Sequence, residues 1–156
     1  MNKEDLELKI RKIKQGTVID HIPPGKSLKV LKIIGISEKT PYIVSVGMNV
    51  PSKKIGKKDI VKVENKELSE KETNKLALIA PDATINIIEN YKVTRKYKVS
   101  LPSIIEGIIK CPNPNCISNH ERILPKFIVE RRKPLKLRCY YCERVVPGDR
   151  IDTFAL

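Results

Sequence analysis

Four cysteines in two short pairs give the strongest chemical signal in this 156-residue sequence. Cys111 and Cys116 flank the residues Pro-Asn-Pro-Asn, and after 22 further residues Cys139 and Cys142 flank Tyr-Tyr. Two short loops that each present two thiolates are typical of a closed, tetrahedral Zn²⁺ site. The sequence therefore predicts one structural zinc ion per chain, with these four cysteines as its ligands.

The sequence fits two other uses of the cysteines less well. Disulfides are typical of small secreted domains, but the first nine residues are charged and lack the apolar stretch of a signal peptide. A catalytic zinc ion needs an open coordination position, which four sulfur ligands do not leave. His120 lies in a polar turn four residues after Cys116, where we expect a solvated loop residue and not a ligand.

The composition changes near residues 100–103, and all four cysteines lie beyond this point. We therefore predict a first domain over residues 1–100, a linker over 101–106 and a zinc-binding domain over 107–156. Strand-like stretches at 126–132 and 135–138 lie between the two cysteine loops. They predict strands, so the second domain is expected to be a small zinc-bound β-domain.

The first domain alternates strand and helix signals. Ser69 and Glu72 form a capping-box pattern, and Pro81 must end the helix that follows. The predicted elements are a strand at 17–22, a helix at 27–34, a buried strand at 42–50 ended by Pro51, a basic turn at 52–57, an edge-exposed strand at 59–63, a helix after Ser69, and strands at 84–89 and 92–99. This order predicts an α+β fold, a ferredoxin-like split βαβ sandwich with two helices on one face of a mainly antiparallel sheet.

The chain is strongly basic, with a formal net charge of +13, of which residues 1–104 carry +9. Such a charge favours phosphorylated or polyanionic partners, and the first domain is the better place to look for a phosphate-bearing ligand. No apolar run is long enough to span a bilayer. We expect a soluble, cytoplasmic protein.

Several motifs occur together and in the order found in one known family. They are GTVIDHIP at 16–23, NVPS at 49–52, GKKD at 56–59, KVEN at 62–65, APDATIN at 80–86 and CPNPNCIS at 111–118. With them the sequence resembles the regulatory chains of aspartate carbamoyltransferase, from about residue 10 to residue 143.

The resemblance implies a regulatory subunit of pyrimidine biosynthesis without an active site of its own. An N-terminal allosteric domain would bind CTP, ATP or UTP, and the zinc domain would contact the catalytic chain. Regulatory dimers would join two catalytic trimers, so that three such dimers complete a dodecamer.

The resemblance also assigns a nucleotide site residue by residue. Asp20 and Lys62 would lie near the ribose, and main-chain groups near Ile13 and Tyr91 would read the base beside Val93. The phosphates would be approached by His21, Asn86 and Lys96, with Lys58 close by. Each residue also has a plainer explanation: Lys58 and Lys62 as solvated edge-strand lysines, His21 and Asp20 as a local hydrogen-bonded pair, Tyr91 as a turn aromatic.

Two other classes of protein remain as alternatives. A nucleic-acid-binding zinc ribbon would explain the charge and the cysteines, but the first loop is longer than most ribbon knuckles. Tyr140 and Tyr141 are the only adjacent aromatic pair that could stack on bases. An enzyme is disfavoured, because the sequence has two histidines, no nucleophile–histidine arrangement and no glycine-rich phosphate loop. Nucleic-acid and membrane partners are therefore not expected.

Overall fold

The computed structural model describes residues 11–153, and the side chains of residues 11–151. The chain divides between Ser100 and Leu101 into two compact units, each of which is described by itself. The outer ends of the two predicted domains, residues 1–10 and 154–156, lie outside the described residues.

Over residues 11–100, the first unit is a five-stranded antiparallel sheet with two helices. Its elements are β1 (Gly16–Ile22), α1 (Ser27–Ile33), β2 (Val44–Ser52), β3 (Gly56–Glu64), α2 (Glu70–Ile79), β4 (Thr84–Glu89) and β5 (Lys92–Lys98). The strand order is β2-β3-β1-β4-β5, and every neighbouring pair is antiparallel. This is the split βαβ arrangement with one added strand, so the predicted α+β fold class is confirmed.

One face of this sheet forms the core with the helices. Ile19, Val61 and Ile85 pair across three adjacent strands and are fully buried, as is Leu76 of α2. The capping box that starts α2 is present: Ser69 Oγ accepts a hydrogen bond from Glu72 N at 3.1 Å, and Glu72 Oε1 accepts one from Ser69 N at 3.2 Å. The helix ends at Ile79, before Pro81, as predicted.

The predicted burial of two strands is wrong. β2 was expected to be buried, but it is an edge strand with only Gly47 buried. The apolar residues of β2 therefore do not indicate a strand with neighbours on both sides. β3 was expected at an edge, but it lies between β2 and β1. Its alternation of apolar and charged residues arises because Val61 and Val63 face the core while Lys62 lies on the opposite, open face.

In its described part, residues 101–153, the second unit is a four-stranded antiparallel sheet in the order β6-β7-β8-β9. The strands are β6 (Ile104–Glu106), β7 (Lys126–Arg132), β8 (Leu135–Cys139) and β9 (Val145–Pro147), and 3₁₀ turns span Ile117–Asn119 and Gly148–Thr153. β7 and β8 were predicted, whereas β6 and β9 were not. β6 lies within the predicted linker and pairs with β7, because Ile105 is a fully buried core residue.

Gly148 allows the chain to turn tightly after β9. A Cβ atom at this position would lie 2.8 Å from the Cβ atom of Leu135, which is closer than real contacts of this kind. The close approach brings Ile151 into the core, where it is 2% exposed. Among residues 11–153, no helix is long and apolar enough to cross a membrane.

Candidate functional site

The four cysteines converge on one point of the second unit. Their Sγ atoms all lie within 4.8 Å of one another, with 3.6 Å between Cys111 and Cys142 and 3.7 Å between Cys116 and Cys139. Four sulfurs at a Zn–S distance of about 2.3 Å form a tetrahedron with edges of about 3.8 Å. None of the four is in a disulfide. The donor set therefore fits a tetrahedral metal ion of the zinc type.

Hydrogen bonds support both cysteine loops. In the first loop Asn119 Nδ2 donates to the carbonyl oxygens of Cys111 at 3.0 Å and Asn113 at 2.7 Å. In the second loop Cys139 N donates to Arg144 O at 2.9 Å, and Glu143 N donates to Cys139 O at 3.0 Å. Such supports orient metal ligands and reduce the entropy that binding would cost.

Cys111 and Cys139 lie where a cation is needed to hold them as thiolates. Burial raises the pKa of Cys111 and of Cys139 above the ordinary value of a thiol. Burial also raises the pKa of Cys142, but hydrogen bonds outweigh it, first that from the Arg144 backbone N–H, and the pKa falls to about 7. A bound metal ion would supply the positive charge that keeps Cys111 and Cys139 deprotonated.

His120 lies outside this cluster, and its side chain is exposed. Its Nε2 atom donates to Pro114 O at 2.8 Å and so stabilises the first loop. Tyr141 donates its hydroxyl to Leu124 O at 3.3 Å. Tyr140 packs edge-on against Tyr141 and beneath the ammonium group of Lys126, 4.9 Å from the ring centroid.

A second candidate site occupies the face of the first sheet opposite α1 and α2, the two helices found within residues 11–100. Paired residues of antiparallel strands point to the same face. The register pairs Lys62 with Val18, Val18 with Asn86, and Asn86 with Lys96. These four residues therefore form one row across β3, β1, β4 and β5.

A β-bulge at Asp20 and His21 shapes one end of this open face. Ile19 pairs with Val61 and Ile22 with Asp59, so two residues of β1 stand opposite one residue of β3. His21 takes a φ of 58°, and its N–H donates to Asp20 Oδ1 at 2.7 Å. A bulge of this kind redirects side chains, which explains why strict alternation fails here.

The bulge collects ionisable groups from separate strands. Lys58 Nζ lies 2.9 Å from Asp20 Oδ1 and 3.1 Å from Asp20 Oδ2. His21 Nδ1 lies 3.2 Å from the hydroxyl of Thr84. Burial is the main cause that lowers the pKa of His21, and Lys58, Lys54 and Lys96 lower it further against the opposing effect of Asp20. At this end of the open face, the positive charges of the lysines outnumber the single carboxylate of Asp20.

The other end of the open face is apolar. Ile13 and Ile88 form a buried cluster there with Val18 of the middle row, and the half-buried Ile60, which lies opposite the bulge, packs against this cluster. Val93 pairs with Ile88 and is 56% exposed, so it extends the apolar surface to solvent.

The chain segment before β1 closes over this end. Lys62 Nζ donates to Arg11 O at 3.0 Å, and Tyr91 N donates to Lys14 O at 3.0 Å. Asn90 and Tyr91 form the turn between β4 and β5, with φ values of 50° and 64°.

The structure thus brings the nine residues named for a nucleotide site onto one face and its rim, and their roles stay a prediction. Two residues of the cationic end, Lys54 and Thr84, were missed. Lys54 belongs to the basic turn at 52–57 and Thr84 to the motif APDATIN, but neither pattern by itself assigns these residues to a ligand site.

Fold and sites together define a two-unit protein with a cationic sheet face and a separate four-cysteine metal centre. Two family models match it: aspartate carbamoyltransferase regulatory chain, allosteric domain, over residues 8–100, and the metal binding domain of the same chain, over 103–152. The chain belongs to the family of aspartate carbamoyltransferase regulatory chains. The predicted family and a regulatory role, as opposed to a catalytic one, are confirmed.

Individual relatives agree with the family models. The chain is 59% identical over 145 residues to the aspartate carbamoyltransferase regulatory chain of Thermococcus gammatolerans, covering 93% of this chain and 96% of the relative. It is 60% identical over 146 residues to that of Pyrococcus furiosus, with 93% and 96% covered. For Methanothrix thermoacetophila the identity is 59% over 151 residues, with 96% and 97% covered.

Proposed function

We propose that this chain is a cytoplasmic allosteric subunit that binds CTP, ATP or UTP on the open face of its first unit. The observation that carries the proposal is the division of this face into an apolar end around Ile13 and Ile88 and a cationic end around His21 and Lys58. A nucleoside triphosphate has the same division, since its base is flat and largely apolar on its faces and its phosphates are anionic.

The dimensions of the face suit such a ligand. Thr84, beside His21, and Ile88, beside Val93, lie four residues apart on β4, which corresponds to about 13 Å along a strand. Lys62, Asn86 and Lys96 lie between these ends. In the proposed site the base lies over Val93, the ribose lies near Asp20 and Lys62, and the phosphates lie near His21, Asn86, Lys58 and Lys96.

The second unit is proposed to hold a structural Zn²⁺ and to dock on the catalytic chain. Two catalytic trimers and three regulatory dimers would then form the dodecamer. Nucleotide binding on the first unit would shift the balance between two states of the catalytic chains. A coupling free energy of about 1–3 kcal/mol is typical of such regulation and changes affinity several-fold.

Replacing Lys96 by alanine tests the nucleotide site. We expect zinc-loaded wild-type chain to bind CTP and ATP competitively, and Lys96→Ala to bind each about 10-fold more weakly or worse. Loss of a charge-assisted hydrogen bond costs about 1.5–3 kcal/mol. The measurement is isothermal titration calorimetry at near-physiological salt.

Lys92→Ala is the matched control. Lys92 is exposed on the same strand but pairs with Glu89, on the helix side of the sheet. The Lys92→Ala chain should bind CTP and ATP with the same affinity as the wild type. Equal losses in both variants would indicate a general charge effect, and binding that collapses between low and moderate salt would favour the nucleic-acid alternative.

The two edges of the first sheet support the proposed regulatory dimer. β5 carries four charged residues in seven positions, a common way to prevent edge pairing. β2 carries no charge, and its Val46 and Met48 are exposed, as is the nearby Ile43. An uncharged, apolar edge is a template for another strand. We therefore place the contact with a second copy at β2.

A lysine on this edge should separate the dimer. Val46→Lys puts a charge on the proposed interface. We expect light scattering at micromolar concentration to give this variant the mass of a monomer. Leu28→Lys, which changes a 64% exposed residue of α1 in the same way, should leave the dimer mass unchanged. A wild-type monomer, or a dimeric Val46→Lys, would contradict pairing through β2.

A further inference from the structure

The hairpin between β2 and β3 extends beyond the cationic end of the open face. Its register pairs Val50 with Lys58 and Ser52 with Gly56, which leaves residues 53–55 as the loop. Ser52 Oγ accepts hydrogen bonds from Lys54 N at 3.3 Å and Ile55 N at 3.4 Å. Gly56 follows with a φ of 82°, the conformation that a three-residue hairpin loop requires. The loop therefore has a defined shape.

This loop lies at the same end of the sheet as the β-bulge. β1 runs antiparallel to β3, so the step from Ile19 to Ile22 corresponds to the step from Val61 to Asp59, toward the hairpin. The charge of Lys54 acts on the ring of His21, together with those of Lys58 and Lys96. Lysines from the hairpin, β3 and β5 thus converge on one histidine.

Lys58 has a counter-charge in Asp20, whereas the ammonium group of Lys54 has none within residues 11–151. The ammonium group of Lys58 is bound to the carboxylate of Asp20. Lys54 is exposed, and its side chain has no hydrogen bond or ion pair within residues 11–151. A phosphate group carries about −1.5 to −2 charges near pH 7 and needs such uncompensated partners.

We infer that Lys54 binds the terminal phosphate of the effector and sets a preference for triphosphates over monophosphates. This inference rests on the nucleotide site proposed above and assigns one part of it. Asp20, Lys58 and the row through Lys96 engage the nucleoside and the inner phosphates. Lys54, at the outer limit of the charged end on a flexible side chain, reaches only a phosphate chain long enough to extend past His21.

The test compares CTP with CMP on the full-length, zinc-loaded chain by calorimetry. Lys54→Gln should raise the Kd for CTP about 10-fold, because one charge-assisted contact is lost. Its Kd for CMP should stay within about two-fold of the wild type, as is usual for an exposed substitution away from contacts. Lys53→Gln removes the same charge one residue away and should leave both Kd values within about two-fold.

The outcomes separate this inference from the function on which it rests. If the wild type binds neither nucleotide, both fail. If the wild type binds CTP and Lys54→Gln binds it equally well, or loses CTP and CMP affinity alike, only the role of Lys54 is overturned. Unchanged thermal unfolding of Lys54→Gln shows that a loss is not caused by misfolding, since Lys54 is exposed at a hairpin loop.

Discussion

Replacing Cys139 by serine should abolish zinc binding and unfold the second unit while the first unit stays folded. Cys139 is 1% exposed, and it ends β8, so its loss removes a ligand and disturbs the sheet at the same point. Structural zinc contributes an apparent free energy of about 10–16 kcal/mol in small zinc domains. That exceeds what a core of about 50 residues supplies by itself.

Two measurements made on one sample check this expectation. Zinc content by mass spectrometry should fall from one ion per chain to none, and amide hydrogen exchange should become fast over residues 101–153. Exchange over residues 11–100 should stay slow, because the two units have separate cores. His120→Ala, a change beside the cluster but not in it, should keep both zinc and protection.

The contrary result would be a Cys139→Ser chain whose second unit keeps slow exchange without metal. It would show that the sheet of β6 to β9 is stable alone and that zinc is not structural. In the assembled enzyme, the proposal also predicts that a strong chelator releases the catalytic chains without altering their active sites.

The metal centre was predictable from the sequence because its geometry is local. Two pairs of cysteines, with four residues between the members of the first pair and two between those of the second, leave few ways to arrange four thiolates other than around one ion. The strands that carry the centre were less predictable. β6 and β9 have only three residues each, and they pair because Ile105 and Val146 fill the core, which no local pattern reveals.

The nucleotide site, unlike the metal centre, is not local in the sequence. Its residues are spread from Ile13 to Lys96, and only the resemblance to a known family grouped them in the sequence. Their proximity depends on strand order and on the bulge at Asp20 and His21, both of which are properties of the folded sheet. The same reason explains the errors for β2 and β3: composition indicates how apolar a strand is, but not which strands lie beside it.

Asp59 is a buried carboxylate of the first unit that accepts three backbone hydrogen bonds. Its side chain is fully buried on β3 next to Lys58. Asp59 Oδ2 accepts hydrogen bonds from Gly25 N at 3.0 Å and Ser27 N at 3.2 Å, and Asp59 Oδ1 accepts one from Asn49 N at 3.0 Å. One carboxylate therefore joins the start of α1 and the irregular part of β2 to the middle of the sheet.

Replacing Asp59 by alanine should lower the free energy of unfolding of the first unit by about 3 kcal/mol or more at pH 7. The change leaves backbone N–H groups without their acceptor in the interior, and each such group costs about 1–3 kcal/mol. Denaturant unfolding, with chevron or equilibrium data for the first unit, measures the difference. Glu89→Gln removes a charge from an exposed position and should change stability by less than about 0.5 kcal/mol.

The effect of Asp59 should also depend on pH with a definite sign. Burial raises the pKa of this carboxyl, but the N–H groups of Asn49, Ser27 and Gly25 outweigh it and hold the pKa below the ordinary value of an aspartate. A carboxyl whose pKa is lower in the folded state stabilises the fold above the unfolded-state pKa of about 3.9, and this contribution is lost as the pH falls through the folded-state value. The stability difference between wild type and Asp59→Ala should therefore be constant from pH 7 to about pH 5 and shrink below about pH 4. A difference that grew on acidification would mean that the carboxyl is neutral in the folded chain and acts as a donor, and the role of its charge in joining α1, β2 and β3 would have to be abandoned.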